Sequence, residues 1–421
     1  MSELANRKER LQYSFSRHIA AAEGPLKLML GDVDRWPGNL SPRLLTTTED
    51  EFVIAFRDNS RARIRVSKLA AGVQRVDVEH EAAPQNSPAS AAGVDFEIFW
   101  FELFELLSAR LMPERLAVAT APGKVNLALH IGPLGADGYH SVASLYLAVN
   151  LRETVSAQLS SAYEVKVAGS FDPFELLAVP TDDRNIVVKA GRAVAQIAGT
   201  PDALKLMLGI DKHVPIAGGM GGGSADGAAA LLATNALLDA KIDNFDLLDM
   251  AAGLGADVPF SMQGGAAIGT GNGAKLTAVD DVREVHLVLI FDEGGLSTPA
   301  VYRKLDELRA ARGEDPTKVA EPTISRSMIR ALQNGNPFDL ATSMQNDLEE
   351  AALALRPDLQ NVIDLALEHG AIRAMVSGSG PTVMALVGSS AGADLLVEQL
   401  GKGGYKAIAV TGPEHGAELV D

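Results

Sequence analysis

Apolar and polar side chains alternate with a period of two along residues 11–20, 43–48, 51–56, 61–68 and 73–80. Each run predicts a strand with one buried and one wetted face, and together they predict an antiparallel sheet. Asn59 marks a turn between two of them, and the polar, turn-rich stretch 81–93 reads as a long loop. The period then changes. Residues 96–112 carry Phe, Trp, Ile and Leu at helical spacing and run into Pro113, which predicts a helix closing a first domain at residues 1–113.

From Leu116 the pattern is different: Gly and Ala rise and the period switches repeatedly between two and 3.6. Strands are expected near 116–120, 125–131, 204–211, 285–291, 371–377 and 382–387. Helices are expected near 185–198, 225–239, 245–254, 298–312 and 358–368. The rest of the chain is therefore a mixed helix-and-sheet body, and it contains no tandem repeat.

Composition narrows the function. The chain has 421 residues, 47% of them apolar and 22% charged, which is the balance of a folded protein with two or three domains. Its net charge of −17 argues against nucleic-acid or anionic-membrane partners. Without cysteine there are no disulfides, thiolate catalysis or Cys-based metal sites. No apolar run has the length of a membrane span, and the polar start predicts no signal peptide, so the expected compartment is the cytoplasm.

Pro215-Ile-Ala-Gly-Gly-Met-Gly-Gly-Gly-Ser-Ala-Asp-Gly227 crowds five glycines in front of Ser224 and opens into a helical run. Such a loop turns backbone N–H groups into one cavity, and the helix adds a partial positive charge, a combination suited to a phosphate chain. No Lys precedes Ser224, so this is not a G-x-x-x-x-G-K-[ST] loop. A flexible linker is the plainer alternative, but linkers seldom open straight into an apolar helix.

Three further segments carry chemistry, each with an ordinary structural alternative. In Ala121-Pro-Gly-Lys-Val-Asn126, Pro122 and Gly123 are expected to break a strand and hold Lys124 on a stiff turn, as a fixed cation or a solvated strand end. Asp137-Gly-Tyr-His140 is a tight turn with adjacent aromatic and imidazole groups, or an Asx-turn and no more. In Gly255-Ala-Asp-Val-Pro-Phe260, Asp257 is a free carboxylate or a helix N-cap.

Taken in order, A-P-G-K-V-N, P-I-A-G-G-M-G-G-G-S-A-D and Ser377-Gly-Ser-Gly380 resemble the three signature regions of the GHMP kinase superfamily. D-G-Y-H, L-G-A-D-V-P-F, Asn346-Asp-Leu-Glu349 and Ser297-Thr-Pro-Ala-Val-Tyr302 narrow the resemblance to its 4-diphosphocytidyl-2-C-methyl-D-erythritol kinases, over roughly residues 116–415. The resemblance implies an α+β fold in two lobes. A ribosomal-S5-like lobe would span 114–285 and a ferredoxin-like lobe 286–421. The first domain, an antiparallel sheet closed by a helix, weakly resembles START-like (polyketide-cyclase-like) domains, which would imply an apolar ligand between sheet and helix, or else a packing module.

The activity implied is transfer of a phosphoryl group from ATP, with Mg2+, to the 2-hydroxyl of the cytidine-diphosphate-linked methylerythritol, a step toward isoprenoid precursors. Asp257 would take the hydroxyl proton and Lys124 would hold it ionised and stabilise charge on the moving group. The ATP site would comprise Pro215, Ala217, Gly218, Gly219, Met220, Gly221, Gly222, Gly223 and Ser224, with Asn185 and Lys212 along the adenine pocket. Ser224 would reach Mg2+ or a phosphate oxygen; no metal carboxylate is marked. Asn126 would meet the polyol, Tyr139, His140 and Tyr302 the cytosine, and Ser377 and Gly378 the substrate. Asn185 and Lys212 are equally readable as a helix cap and a solvated strand end. Rivals are a mevalonate- or sugar-type kinase of the same superfamily and a non-catalytic ligand-binding regulator. Either a monomer or a homodimer fits.

Overall fold

A computed structural model describes residues 11–20, 23–36, 42–48, 50–56, 60–70, 73–81, 96–111, 116–136, 138–160, 162–199, 205–216, 218–291 and 294–420. Asn59, Asp137 and Ala217 lie outside these.

The alternating N-terminal runs form β1 (Leu11–Ala20), β2 (Arg43–Thr47), β3 (Glu51–Ala55), β4 (Arg61–Ala70) and β5 (Val73–Glu81), an antiparallel sheet in the order β1-β5-β4-β3-β2. Helices α1 (Glu23–Gly31) and α2 (Phe96–Leu111) accompany it. On β4, Ala62, Ile64 and Val66 are buried, while Arg63 and Arg65 on the opposite face each bond Glu51 at 2.9 Å. The period of two thus sorts core from solvent. Trp36, Phe56, Phe99, Trp100 and Phe104 fill the interior against α2, with ring centroids 5.1–6.4 Å apart. Trp100 Nε1 donates to buried His80 at 3.1 Å. Aromatic rings fill the described interior against α2, and an open groove of about 640 Å³ lies between α1 and the sheet, lined by Leu28, Thr47 and Phe52 among others. Among the described residues, this core draws only on residues 19–107.

The next sheet is built on two long strands, β6 (Leu116–Leu134) and β7 (His140–Ser160). The break expected at Pro122–Gly123 is absent. β6 continues through it with a register shift, a bulge that absorbs the missing N–H of Pro122. Lys124 therefore sits inside a strand, not on a turn. The remaining strands of the chain are β8 (Glu164–Gly169), β9 (Lys205–Lys212), β10 (Ala266–Gly271), β11 (Lys275–Ala278), β12 (Val285–Phe291), β13 (Gln345–Asn346), β14 (Arg373–Val376), β15 (Val383–Val387), β16 (Lys406–Gly412) and β17 (Glu418–Val420). The sheet on β6 and β7 runs β11-β10-β7-β6-β13, with β9 on the far half of β7 and β8 beside β9.

Helices α3 (Ile186–Ile197), α4 (Gly222–Leu238), α5 (Asn244–Leu254) and α6 (Val258–Gln263) join it. α4 is alanine-rich and buried on most of its circumference, so it lies close against β6 and β7.

The second lobe is a four-stranded antiparallel sheet, β14-β15-β12-β16. α7 (Thr298–Ala311), α8 (Glu349–Leu355), α9 (Leu359–Glu368) and α10 (Ser390–Lys402) contribute to a core on one face. β12 is apolar on both faces for a reason: Val288 and Ile290 face those helices, while Leu287 and Leu289 pack with Val125, Leu127, Leu145 and Leu147 of the first lobe. The lobe boundary expected at 285 is recrossed twice. Gln345–Asn346 pairs in parallel with β6, and Glu418–Val420 pairs with it antiparallel. The site forms where these layers meet.

Candidate active site

The helix behind the glycine loop begins at Gly222, three residues earlier than the apolar pattern indicated, because glycine tolerates the left-handed cap at Gly221 (φ 71°). Gly219 also has positive φ, and a Cβ there would lie 2.9 Å from the Ser377 carbonyl. The loop is thus a partition. On one side is a cleft of about 470 Å³, lined by Arg184, Asn185, Lys212, Pro215, Asp226 and the loop backbone from Gly218 to Ser224. On the other is a cleft of about 380 Å³, lined by Lys124, Asn126, Tyr146, Asp257, Tyr302 and Ser379 among others. Gly219, Gly221 and Ser224 border both. The Met220 side chain turns into the core, and its carbonyl accepts from the Lys124 N–H at 2.9 Å.

Lys124 Nζ stands 3.6 Å from Asp257 Oδ2, with the lysine side chain 7% and the aspartate 30% exposed. It also donates to Asn126 Oδ1 at 2.8 Å and to the Gly219 carbonyl at 3.0 Å, and lies 5.6 Å from the Tyr146 ring centroid. Asp257 occupies the N-cap position of α6 but its side chain caps nothing there, leaving it to face the lysine. Asn126 has a second bond, from Nδ2 to Ser144 Oγ at 2.6 Å. Both ends of its amide are engaged, so it orients Lys124 while still bordering the cleft where the polyol is expected.

Two tyrosines flank Asp257. Burial, then the aspartate's charge, raises the Tyr146 hydroxyl well above its ordinary value, and the same two causes push Tyr302 up to about 12. Both remain neutral donors. Tyr302 packs against His140, with centroids 5.3 Å apart, and His140 Nε2 meets Asp306 Oδ1 at 2.9 Å. His140 and Tyr302 are therefore brought together as expected; Tyr139 points outward, 74% exposed.

Asn185 caps α3, accepting from Val187 N at 2.9 Å, while also lining the larger cleft. Lys212 is not a solvated strand end. It is buried, with Glu153 Oε1 at 2.5 Å and Asp226 Oδ2 at 2.8 Å, and like Asn185 it borders the larger cleft. Burial, together with the neighbouring Asp226 charge, raises Glu153 to about 7 despite Lys212; burial raises Asp226 as well. Burial alone would lower Lys212, but the two carboxylates reverse it and leave its pKa raised.

Ser377 was expected at the substrate, yet its side chain is fully buried. Asn346 Nδ2 bonds the carbonyls of Val376 and Gly378, both at 2.8 Å, and shapes the turn so that Gly378 and Ser379 face the cleft instead. Ser379 Oγ pairs with Thr298 Oγ1 at 2.9 Å. Tyr146, Ser144, Thr298, Ser379 and Glu153 escaped the sequence reading. Thr298 and Ser379 lay inside the 297–302 and 377–380 segments without a role of their own, and Glu153 left a signal as an acid in the strand-like Leu151-Arg-Glu-Thr-Val155 run.

Comparison with known proteins agrees with this geometry. The family described as GHMP kinases N terminal domain matches residues 185–265, and GHMP kinases C terminal matches 328–406. A 4-diphosphocytidyl-2-C-methyl-D-erythritol kinase of Paenarthrobacter aurescens is 44% identical over 304 residues, 71% of this chain and 94% of the relative. The same enzyme of Pseudarthrobacter chlorophenolicus is 43% identical over 304 residues, 71% of this chain and 93% of the relative. A solved 4-(cytidine 5'-diphospho)-2C-methyl-D-erythritol kinase is 28% identical with a TM-score of 0.56, covering 71% of this chain and 98% of its own. Those relatives match almost whole, which leaves a share of this chain about the size of the N-terminal unit additional to them. From residue signatures, two-lobed fold and relatives alike, the chain belongs to the GHMP kinases and, among them, to the 4-diphosphocytidyl-2-C-methyl-D-erythritol kinases.

Proposed function

We propose that this chain transfers the γ-phosphoryl group of ATP to the 2-hydroxyl of 4-diphosphocytidyl-2-C-methyl-D-erythritol. The observation that carries this is the partition itself. One glycine loop borders two clefts, and Lys124 and Asp257 stand together in the second. ATP in the larger cleft would present its terminal phosphate across Gly219, Gly221 and Ser224. The acceptor in the smaller cleft would bring its hydroxyl to Asp257.

Asp257 accepts the hydroxyl proton as the oxygen forms its bond to the γ-phosphorus. The bond between that phosphorus and the bridging oxygen breaks, and ADP leaves with the electron pair. A tertiary alcohol is a poor nucleophile, so most of the work is positioning and charge stabilisation. Lys124 supplies the charge, held in place by Asn126 and the Gly219 carbonyl. Tyr302, backed by His140, offers an aromatic face for cytosine. Among the described residues lining the acceptor cleft Lys124 is the one cation, so neutral donors such as Thr298, Ser379 and Asn272 fall to the substrate diphosphate.

Mg2+ fits this donor set. It favours oxygen, keeps several waters and takes one or two protein ligands beside the phosphates. The Ser224 hydroxyl borders both clefts and would hold it, while the ion neutralises phosphate charge. The described residues hold no cluster of three or more His or acidic groups suited to a metal cage.

The test is phosphorus NMR of the purified protein with Mg2+, ATP and this substrate. A new phosphomonoester resonance rising with ADP is expected. Phosphorylation of mevalonate or a sugar but not of this substrate would overturn the assignment.

A further inference from the structure

Glu153, Lys212 and Asp226 form a buried ionic triad directly beneath the phosphate loop. Their side chains are 0%, 4% and 4% exposed. They come from three elements, β7, β9 and α4. Glu153 Oε2 also accepts from His213 N at 2.8 Å, which ties β9 to β7 a second time. The loop backbone rests on this group. A Cβ placed on Gly222, in the first turn of α4, would stand 2.9 Å from Glu153 Oε1 and 3.3 Å from Lys212 Nζ. Lys212 and Asp226 border the larger cleft, but for Lys212 to reach a phosphate it would have to leave two carboxylates buried and unpaired, which is strongly unfavourable.

We propose that Lys212 is a positioning residue: clamped between Glu153 and Asp226, it fixes the first turn of α4, and with it the glycine loop, at the height where loop N–H groups meet the ATP phosphates, and lends the nucleotide no charge of its own. This rests on the reading of the larger cleft as the ATP site. Lys212 is the knot, Glu153 anchors it to the sheet and Asp226 passes the constraint to the helix. A direct phosphate contact by Lys212 makes the opposite prediction, because removing Asp226 would free the ammonium for ATP.

The experiment is calorimetric titration of the full chain with Mg2+ and ATP, alongside kinetics, for Asp226→Ala and Asp226→Asn. The clamp predicts that Asp226→Ala weakens ATP binding and raises the KM for ATP at least about tenfold, the scale produced by a small misplacement of a binding group. Saturating kcat and acceptor KM move less than about threefold, and Asp226→Asn, whose amide oxygen still accepts from Lys212, recovers most of the affinity. ATP affinity unchanged or improved in Asp226→Ala overturns the clamp.

Should Asp226→Ala not fold, the isosteric Asp226→Asn and Glu153→Gln carry the test. Affinities within about threefold of the unaltered protein support the clamp, and a change of about tenfold in either direction overturns it. If the unaltered protein binds no ATP, the kinase reading fails and the clamp falls with it. ATP binding in the unaltered protein with no loss in Asp226→Ala sinks the clamp alone.

Discussion

Asp257→Asn separates proton transfer from everything else at the site. The carboxylate stands 3.6 Å from Lys124 Nζ. At an effective dielectric near 20 that separation corresponds to an attraction of at most about 5 kcal/mol. Little of this is lost as structure, because Lys124 keeps its bonds to Asn126 at 2.8 Å and to the Gly219 carbonyl at 3.0 Å. The amide is isosteric, and at 30% exposure the original side chain is not a core element. Fold, loop position and ATP affinity should therefore persist. What disappears is the base. General-base assistance contributes about 10²–10⁴ in rate, equivalent to roughly 3–5 kcal/mol of barrier. The expected result is a fall of that size in kcat with ADP release measured at saturating ATP and acceptor. Calorimetric ATP affinity should stay within about threefold and the melting temperature within a few degrees, about 1 kcal/mol. A variant that folds, binds ATP and loses less than about tenfold in kcat would refute the role of Asp257 and leave positioning and charge as the whole of catalysis.

Other perturbations reach other parts of the molecule. Glu153, faced by Lys212, Asp226 and the His213 N–H, is raised from 4.5 to about 7. Between those values the folded chain keeps a proton the unfolded chain has lost, so this group's contribution to stability is present below pH 4.5, falls as pH rises through the window and is flat above about 7. Glu153→Gln should flatten that slope in melting temperature against pH, and an unchanged slope would reject the assignment. Tyr302→Ala should raise the acceptor KM by about tenfold or more, since base–aromatic stacking is worth about 1–3 kcal/mol, with the KM for ATP unmoved; an unaltered acceptor KM would remove Tyr302 from the cytosine pocket. Deleting residues 1–113 should leave a soluble, active kinase, because among the described residues the N-terminal core draws only on residues 19–107; an insoluble or inactive product would mean the two parts depend on each other.

The parts of this fold that were legible in the sequence share a physical cause. Strands β1 to β5 alternate because one face meets a core and the other water, so their bounds could be read almost to the residue. The same held for α2, α5 and α7, whose periodicity and stops are local. Pro122-Gly123 misled because a strand break and a bulge begin from the same two residues, and only the partner strand β7 decides between them. The early start of α4 was hidden in a run of glycines that carries no periodicity. Lys124, Asp257 and the loop were found because motif spacing marks them. Tyr146, Ser144 and Thr298 were not, since a donor that serves a cleft looks in sequence like any polar or aromatic residue of a strand or helix start. Ser377 and Ser379 show the limit most sharply: two serines two apart in one tight turn, one buried and one facing the cleft, sorted by the Asn346 side chain from another segment.

The charge arrangement explains how so acidic a chain can hold two anionic ligands. At −17 its overall field disfavours both ATP and a substrate diphosphate. A cluster of lysines and arginines would offset that field, but among the described residues bordering the acceptor cleft there is one lysine. A second lysine near the loop is cancelled by two carboxylates. Arg184 borders the larger cleft but is paired with Asp182 at 2.9 Å, so what remains is largely directional: loop N–H groups, the first turn of α4, hydroxyls from Thr298 and Ser379, and Lys124 aimed by three partners. Such donors act over a hydrogen-bond length and are indifferent to distant charge, whereas a diffuse basic patch would bind any polyanion. In the proposed reaction Lys124, the one cation among the described residues of the acceptor cleft, would stand where negative charge develops during transfer, not where it rests before it. An interaction that grows in the transition state raises kcat, while one spent equally on the bound substrate lowers only KM. On the reading proposed above, placing Lys124 beside Asp257 and pairing Lys212 with two carboxylates would keep the one lysine among the described residues of the acceptor cleft for the chemical step.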